Sequence, residues 1–215
     1  MGLEFASSYM KSYIVKIIIG ARYGTGFYSG DYPSGNFVYI ATAYHVVEEA
    51  EMSELPITFF HAVSGVTVVI PYDELYIFSD KATDSAVIVV RVGRIPFPPI
   101  RHKLSESLQL LVASEVFWMG FPKIAPDIIC FFSGRISASF TDFHAYLIDG
   151  VSVNGVSGGP VMCVDPVFGL TVVGVVTHYV HNDSDGLVRP GLVFAPDITS
   201  VNAMVKLIGG YNASK

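Results

Sequence analysis

Cysteine is nearly absent from this chain: Cys130 and Cys163 are the only two in 215 residues. Two cysteines close at most one bridge and here lack metal-ligand spacing, which excludes a disulfide scaffold and a zinc module. Two free, buried thiols in a reducing compartment are expected. Charge is also scarce, at 15% of residues against 51% hydrophobic. That balance excludes a disordered chain. Basic residues number 13 against 19 acidic ones, for a net charge of -6, and they form no cluster. With nothing to neutralise a run of phosphates, nucleic acid is not an expected partner. Long apolar runs are missing too: IVKIIIG and TVVGVV stop well short of the roughly 20 residues that a membrane helix needs. The N-terminal MGLEFASSYMKSY lacks the basic start and apolar core of an export signal. The expectation is a soluble, cytoplasmic protein without membrane insertion, although an exported and already trimmed form would read the same.

What the chain has in abundance is strand texture. From residue 13 to 100 it runs through SYIVKIII, GFYSG, FVYIAT, PITFFHA, VTVVIPY, ELYIF and SAVIVVRV, separated by turn residues. The texture resumes from Leu108 in LQLLVA, EVFWMGF, DIICFFSGRISAS, HAYLID, GPVMCV, LTVVGVVTHYV and LVRPGLVFAP. Closely spaced strands with no helix between them predict a sandwich or barrel. Between the halves, RIPFPPIRHK carries three prolines and reads as a linker. Helical spacing is plain only at the end, where Ile198, Val201, Met204, Val205 and Ile208 follow a cap at Asp197 or Thr199 and Gly209-Gly210 stops the run. A short helical turn is also possible from His45 to Glu51. The expected organisation is an N-terminal arm (1–12), an N-terminal β-barrel (13–100), a C-terminal β-barrel (101–197), and a C-terminal helix and tail (198–215).

Glycine is concentrated in one stretch, GVSVNGVSGGPVM, from Gly150 to Met162. Its Gly155-Val156-Ser157-Gly158-Gly159 core satisfies two serine-nucleophile patterns. The G-x-S-x-G elbow of α/β-hydrolases needs a helix after the serine, but here two glycines and Pro160 lead into the β-type run VMCV. That family also places its acid and histidine after the serine, where little chain remains. The other pattern, G-x-S-G-G-P, belongs to chymotrypsin-like peptidases. There the glycines let the backbone turn so that the N–H groups of Gly155 and Ser157 converge on a developing oxyanion. A serine hydroxyl is a weak nucleophile near neutral pH, so this reading demands a histidine base and an orienting acid upstream. His45, at a strand end in ATAYHVV, and Asp84, at a strand mouth in TDSAVIVV, stand in the required order.

GTGF (Gly24 to Phe27), ATAYHVV, TDSAVIVV, MGFP, SGRIS and LIDGVSVNGVSGGPV resemble, in order, the landmarks of trypsin-like peptidases. The similarity is greatest to the HtrA-like (Deg) branch, with its GSGF, a histidine before a VV pair, D-x-A-V, a GxP turn, SGxIS and a TDA...GNSGGP run. The blocks span roughly residues 14 to 180. The resemblance implies an all-β fold of two six-stranded-type barrels, with Ser157 as nucleophile, His45 as general base and acid, and Asp84 orienting His45 in the cleft between them. It also implies a pocket with Val151 near its base and Thr177, His178 and Tyr179 along one wall. No acid stands at the base, so small or medium aliphatic residues are expected before the cut bond.

The sequence departs from the pattern in places. Val156 stands where trypsin has an acid that pairs with a freshly cut N-terminus, so activation by that insertion is not expected. Ala43 and Tyr44 flank His45 where secreted relatives have a disulfide. Regulation through the peptide-binding PDZ domain usual after the protease in HtrA-like proteins is not expected from these 215 residues.

Plainer readings stand beside these. Ser157 in a simple glycine-rich turn, His45 as a buried structural histidine, Asp80 in place of Asp84, and Asp149 as a turn residue each compete. Thr177 either donates a hydrogen bond to Asp84 or is a plain strand threonine. His61, His102, His144 and His181 are given no role. The expected activity is a serine endopeptidase acting on polypeptides through an acyl-enzyme, with no metal or organic cofactor. The alternatives are an inert binding module of the same fold, a viral polyprotein-processing protease, and, third, a lipase or esterase.

Overall fold

The computed structural model describes residues 2–31, 35–99, 103–105, 109–179 and 192–210. Among these the architecture is all-β with helical additions, arranged in two curled sheets that form a double barrel, as expected. His102 and His181 lie outside the described residues, as do part of the proline linker, the start of LVRPGLVFAP and the tail after Gly210.

The first sheet has seven strands: β1 (Ile14–Ile19), β2 (Arg22–Asp31), β3 (Phe37–Ala43), β4 (Ile57–His61), β5 (Val66–Ile70), β6 (Tyr76–Asp80) and β7 (Ser85–Arg91), in the order β5-β4-β1-β2-β3-β7-β6. β-Branched residues dominate the central strands β1, β3 and β7 because both faces of these are covered, and almost every residue in them is buried. The second sheet comprises β8 (Lys103–Leu104), β9 (Glu115–Gly120), β10 (Cys130–Phe140), β11 (Ala145–Asp149), β12 (Pro160–Asp165), β13 (Gly169–Val175), β14 (His178–Tyr179) and β15 (Val193–Pro196). Their order is β14-β15-β11-β10-β9-β12-β13-β8. The larger core crosses the seam: Phe117, Met119, Phe121, Met162 and Val172 of the second half pack in one cluster with Ile17, Phe27, Ile40 and Ile88 of the first. A shared core fixes the two barrels relative to one another, which any site built across them requires.

Three helices accompany the sheets, of which the C-terminal one was expected. The N-terminal arm is helix α1 (Leu3–Lys11), with Ala6 and Met10 buried. It is held by a row of rings, Tyr9 to Tyr13 at 5.0 Å, Tyr13 to Tyr28 at 5.9 Å and Tyr28 to Phe97 at 5.4 Å. Phe97 comes from the proline linker, so this part of the linker is packed down. The turn expected at His45 is a full helix, α2 (Tyr44–Ser53), whose buried Tyr44, Val47 and Ala50 recur on one face. The C-terminal helix α3 (Thr199–Gly210) starts where Asp197 Oδ1 accepts the Thr199 N–H at 2.9 Å. Ile198, Val201, Met204 and Ile208 are buried beneath it, as the spacing predicted. It runs on through Gly209 to Gly210 instead of stopping before the pair. LQLLVA is not a strand: residues 109–114 are irregular, with Leu111 and Val112 exposed.

Both cysteines are free thiols, and burial, assisted by Asp165, pushes the Cys163 thiol up to about 11. Among the described residues, no helix is long and apolar enough to cross a membrane.

Candidate active site

His45 enters the site as the second residue of α2. The first N–H groups of any helix lack intrahelical acceptors, and the residue before α2, Ala43, has no side chain to cap them. Asp84 supplies the cap from a turn distant in sequence. Its main-chain carbonyl accepts the Tyr44 N–H at 2.9 Å, and its Oδ1 accepts the His45 N–H at 2.9 Å. The remaining oxygen, Oδ2, lies 2.8 Å from His45 Nδ1. With the ring proton on Nδ1 donated to this carboxylate, Nε2 carries the free lone pair. Asp84 reaches this position from the turn between β6 and β7 in a left-handed conformation, φ 51°, which non-glycine residues adopt at some cost and which is common at functional sites. Both side chains stay accessible, at 44% for His45 and 30% for Asp84.

Ser157 lies on the loop before β12. Four consecutive carbonyls there each accept a named donor: Asn154 from Lys123 N at 2.8 Å, Gly155 from Thr25 Oγ1 at 2.8 Å, Val156 from Gly159 N at 2.9 Å and Ser157 from Thr25 N at 2.8 Å. In a trans peptide the N–H points opposite to the carbonyl, so anchoring the Asn154 and Val156 carbonyls fixes the directions of the Gly155 and Ser157 N–H groups. The N–H groups of Val156, Gly158 and Gly159 are spent inside the fold. Those of Gly155 and Ser157 take no partner among the described residues. Two adjacent, fixed and unspent donors can receive negative charge.

Glycine is required at two points of this loop. Gly155 has φ +94°, and a Cβ there would lie 2.3 Å from the Phe121 carbonyl oxygen; Gly158 has φ +86°, and its Cβ would lie 2.0 Å from the Thr25 carbonyl oxygen.

Gly24 lies between the Ser157 backbone and Val46, the residue after His45. A Cβ on Gly24 would meet the Val46 methyls at 2.5 and 2.7 Å and the Ser157 carbonyl oxygen at 3.1 Å. The Ser157 hydroxyl donates to the Thr177 carbonyl at 3.0 Å. The Thr177 hydroxyl does not serve Asp84, the use raised for it from the sequence. It donates to the Phe194 carbonyl at 3.3 Å and receives His178 Nδ1–H at 3.0 Å. His178 stacks on Phe194 with centroids 4.8 Å apart. Partial burial holds its imidazole below the usual histidine range; Asp84 pushes it back up and His45 pushes it down. Tyr179 is half-buried on β14, and Val151 is exposed.

The competing residues have other engagements. Asp80 accepts from Ser200 Oγ at 2.9 Å and from the Ala82 N–H at 3.1 Å. Asp149 is exposed at the end of β11, opposite Arg135. His61 is buried between the Ser12 carbonyl and Ser64, and His144 faces Asp197 at 3.4 Å. Sequence reasoning missed Thr25 and Lys123, although GTGF and MGFP, the blocks around them, were its own landmarks.

Two barrels with a histidine–aspartate pair on one and a glycine-bound serine on the other have the layout of a nucleophilic hydrolase. Residues 24–175 match the trypsin-like peptidase domain, and the chain belongs to that family: it is a trypsin-like serine protease. No curated protein sequence matches it. Among solved structures it is similar to the serine endoprotease from Yersinia pestis, at TM-score 0.69 and 18% identity over 97% of this chain and 67% of that one. It is similar to Deg5, at TM-score 0.70 and 20% identity over 97% and 94% of the two chains. It also resembles an inactive form of Rv3671c from M. tuberculosis H37Rv, at TM-score 0.64 and 19% identity over 96% and 91%. At these identities the likeness is one of fold.

Proposed function

We propose that the chain is a serine endopeptidase that cuts polypeptides through an acyl-enzyme, with Ser157 as nucleophile, His45 as general base and acid, and Asp84 as the residue that orients His45. The observation that carries this reading is the double hold of Asp84 on His45, which leaves Nε2 as the ring's proton acceptor. In the first half-reaction Ser157 Oγ exchanges the Thr177 carbonyl for His45 Nε2, gives up its proton there and bonds to the scissile carbonyl carbon. The resulting oxyanion is received by the N–H groups of Gly155 and Ser157. His45 then protonates the leaving amine as the C–N bond breaks. In the second half-reaction water takes the amine's place, loses a proton to His45 and releases the acid, and Ser157 recovers its proton. Val151, Thr177, His178 and Tyr179 line the side chain before the cut bond. The absence of an acid among them favours small or medium aliphatic residues over Arg or Lys.

The test is labelling by a fluorophosphonate, which phosphonylates an activated serine, with wild type and Ser157→Ala side by side. Wild-type labelling lost in the variant, together with peptide-library cleavage after aliphatic residues, is the expected result. A folded wild type that neither labels nor cleaves would make the protein an inert binding module.

A further inference from the structure

We propose that Thr25 is a positioning residue of the reaction: it sets the oxyanion donors through the carbonyls beside them. Thr25 is fully buried, at 0% exposure, and every polar atom it has is engaged, its hydroxyl and its N–H with the second barrel. Its hydroxyl donates to the Gly155 carbonyl at 2.8 Å and accepts the Phe121 N–H at 3.1 Å. Its own N–H donates to the Ser157 carbonyl at 2.8 Å. Its carbonyl accepts the Thr42 hydroxyl at 2.7 Å.

The carbonyl that the hydroxyl holds belongs to the peptide between the two unspent donors. Rotation of that peptide changes ψ of Gly155 and φ of Val156, and so the angle between the Gly155 and Ser157 N–H groups. Gly155 is the residue least able to resist such rotation, since glycine occupies its left-handed region freely. Within the loop that peptide is held by one bond, from the Val156 N–H to the Val153 carbonyl at 3.2 Å; the shorter bond from the Thr25 hydroxyl adds a second restraint, from the other barrel. Bare backbone makes the approach possible on the far side as well, because a Cβ on Gly120 would lie 2.6 Å from Thr25 Oγ1 and 3.1 Å from Val156 Cα. The oxyanion exists only in and near the transition state, so a misdirected donor lowers kcat and leaves ground-state binding in place.

The inference rests on the serine-peptidase reading above. Its test uses the full chain with Thr25→Val, which keeps shape and loses the hydroxyl, Thr25→Ser, which keeps the hydroxyl, and Thr25→Cys, which keeps a weak donor. Each is assayed for kcat, KM, melting temperature and affinity for a peptidyl boronate, an analogue whose tetrahedral adduct places an oxygen on the donors. Misplacement by about 1 Å can cost about a hundredfold in rate, and a smaller displacement on the order of tenfold. Thr25→Val should therefore lose about that factor in kcat and a parallel factor in boronate affinity, with KM within about twofold, and Thr25→Ser should restore both. Thr25→Cys should fall between. Should the valine variant fail to fold, the serine-to-cysteine step decides alone. Equal kcat across the folded variants, or a loss of rate without loss of boronate affinity, would overturn the inference and leave the serine-peptidase reading standing. A wild type that neither cleaves nor labels would overturn both.

Discussion

Asp84 grips His45 by ring and backbone at once, Oδ2 at 2.8 Å from Nδ1 and Oδ1 at 2.9 Å from the main-chain nitrogen. The two bonds separate under substitution. Asp84→Asn keeps an oxygen for the helix cap but presents an amide donor to Nδ1, which forces the ring proton onto Nε2. Turnover should fall by about 10⁴, with a melting temperature close to wild type. Asp84→Ala should lose both bonds, with a comparable loss of rate and about 1 kcal/mol of stability for the missing cap. A peptide assay and a thermal melt on both variants check this, and equal melting points would show that the cap contributes nothing.

Gly158 provides a second prediction, because its substitution is strained twice. The backbone has φ +86°, and a Cβ would meet the Thr25 carbonyl oxygen at 2.0 Å and Thr42 Oγ1 at 2.2 Å. Backbone on one side and a buried hydroxyl on the other cannot both retreat. Gly158→Ala should cost several kcal/mol, on the order of the larger strain and overpacking losses, and abolish activity. Gly65 is the control: its φ is +71° with nothing within 4 Å, so Gly65→Ala should cost about 1 kcal/mol and leave turnover intact. Thermal melts of the pair separate the clash from the backbone preference.

These cases show what could be read before the fold was known. The strands around His45 and Asp84 were legible because apolar residues run unbroken where both faces of a sheet are buried, and the glycines around Ser157 because few other loops need so many. Helix α1 was not, since its two buried residues, Ala6 and Met10, stand among serines and tyrosines, and the core they join is built by strands distant in sequence. LQLLVA misled because its composition resembles a strand, whereas it meets β10 near its end, where the Ala113 N–H donates to the Ile136 carbonyl at 2.8 Å, and no ladder runs back from there among the described residues. The part played by Thr25 was invisible because it depends on distances across 130 and 96 positions of chain, to Gly155 and Phe121. No local pattern encodes these.

His61 links acidity to stability. Its side chain is almost fully buried, with Nε2–H donating to the Ser12 carbonyl at 3.0 Å and Nδ1 accepting from Ser64 Oγ at 2.7 Å. Burial holds the imidazole below the usual histidine range, and the bond to Ser12 pushes it back up in part. The unfolded chain therefore takes up a proton at a higher pH than the folded one. Stability is full above the unfolded value of about 6.5 and declines as pH falls from there through the lower folded value. His61→Gln, which does not titrate, should show a shallower fall in melting temperature between about pH 7.5 and 5.5. Parallel curves for the two proteins would remove His61 as a source of the acid sensitivity.

The hairpin that carries Asp84 is also tied to the C-terminal helix. Ser200, in the first turn of α3, donates to Asp80 Oδ2 at 2.9 Å and accepts from Thr83 Oγ1 at 3.0 Å. Asp80 and Thr83 bracket the turn that ends in Asp84. Burial raises the Asp80 carboxyl, but hydrogen bonds from Ser200, Thr83 and Ala82 outweigh it and hold the group below the usual carboxylate range. A carboxylate held down in this way stabilises the fold above its unfolded value of about 3.9, and that contribution is lost as pH falls through the lower folded one. Ser200→Ala removes one of those bonds and frees Thr83. It should lower stability by about 1 kcal/mol, which in a chain of this size is roughly 2–4 °C in melting temperature, and the deficit should vanish at the acid end of the profile. Because Asp84 sits one residue beyond Thr83, turnover should also fall by a few-fold at neutral pH without change in KM. If melting drops while turnover holds, α3 steadies the barrel without reaching the site; if both drop together, the C-terminal helix is part of what keeps His45 aligned.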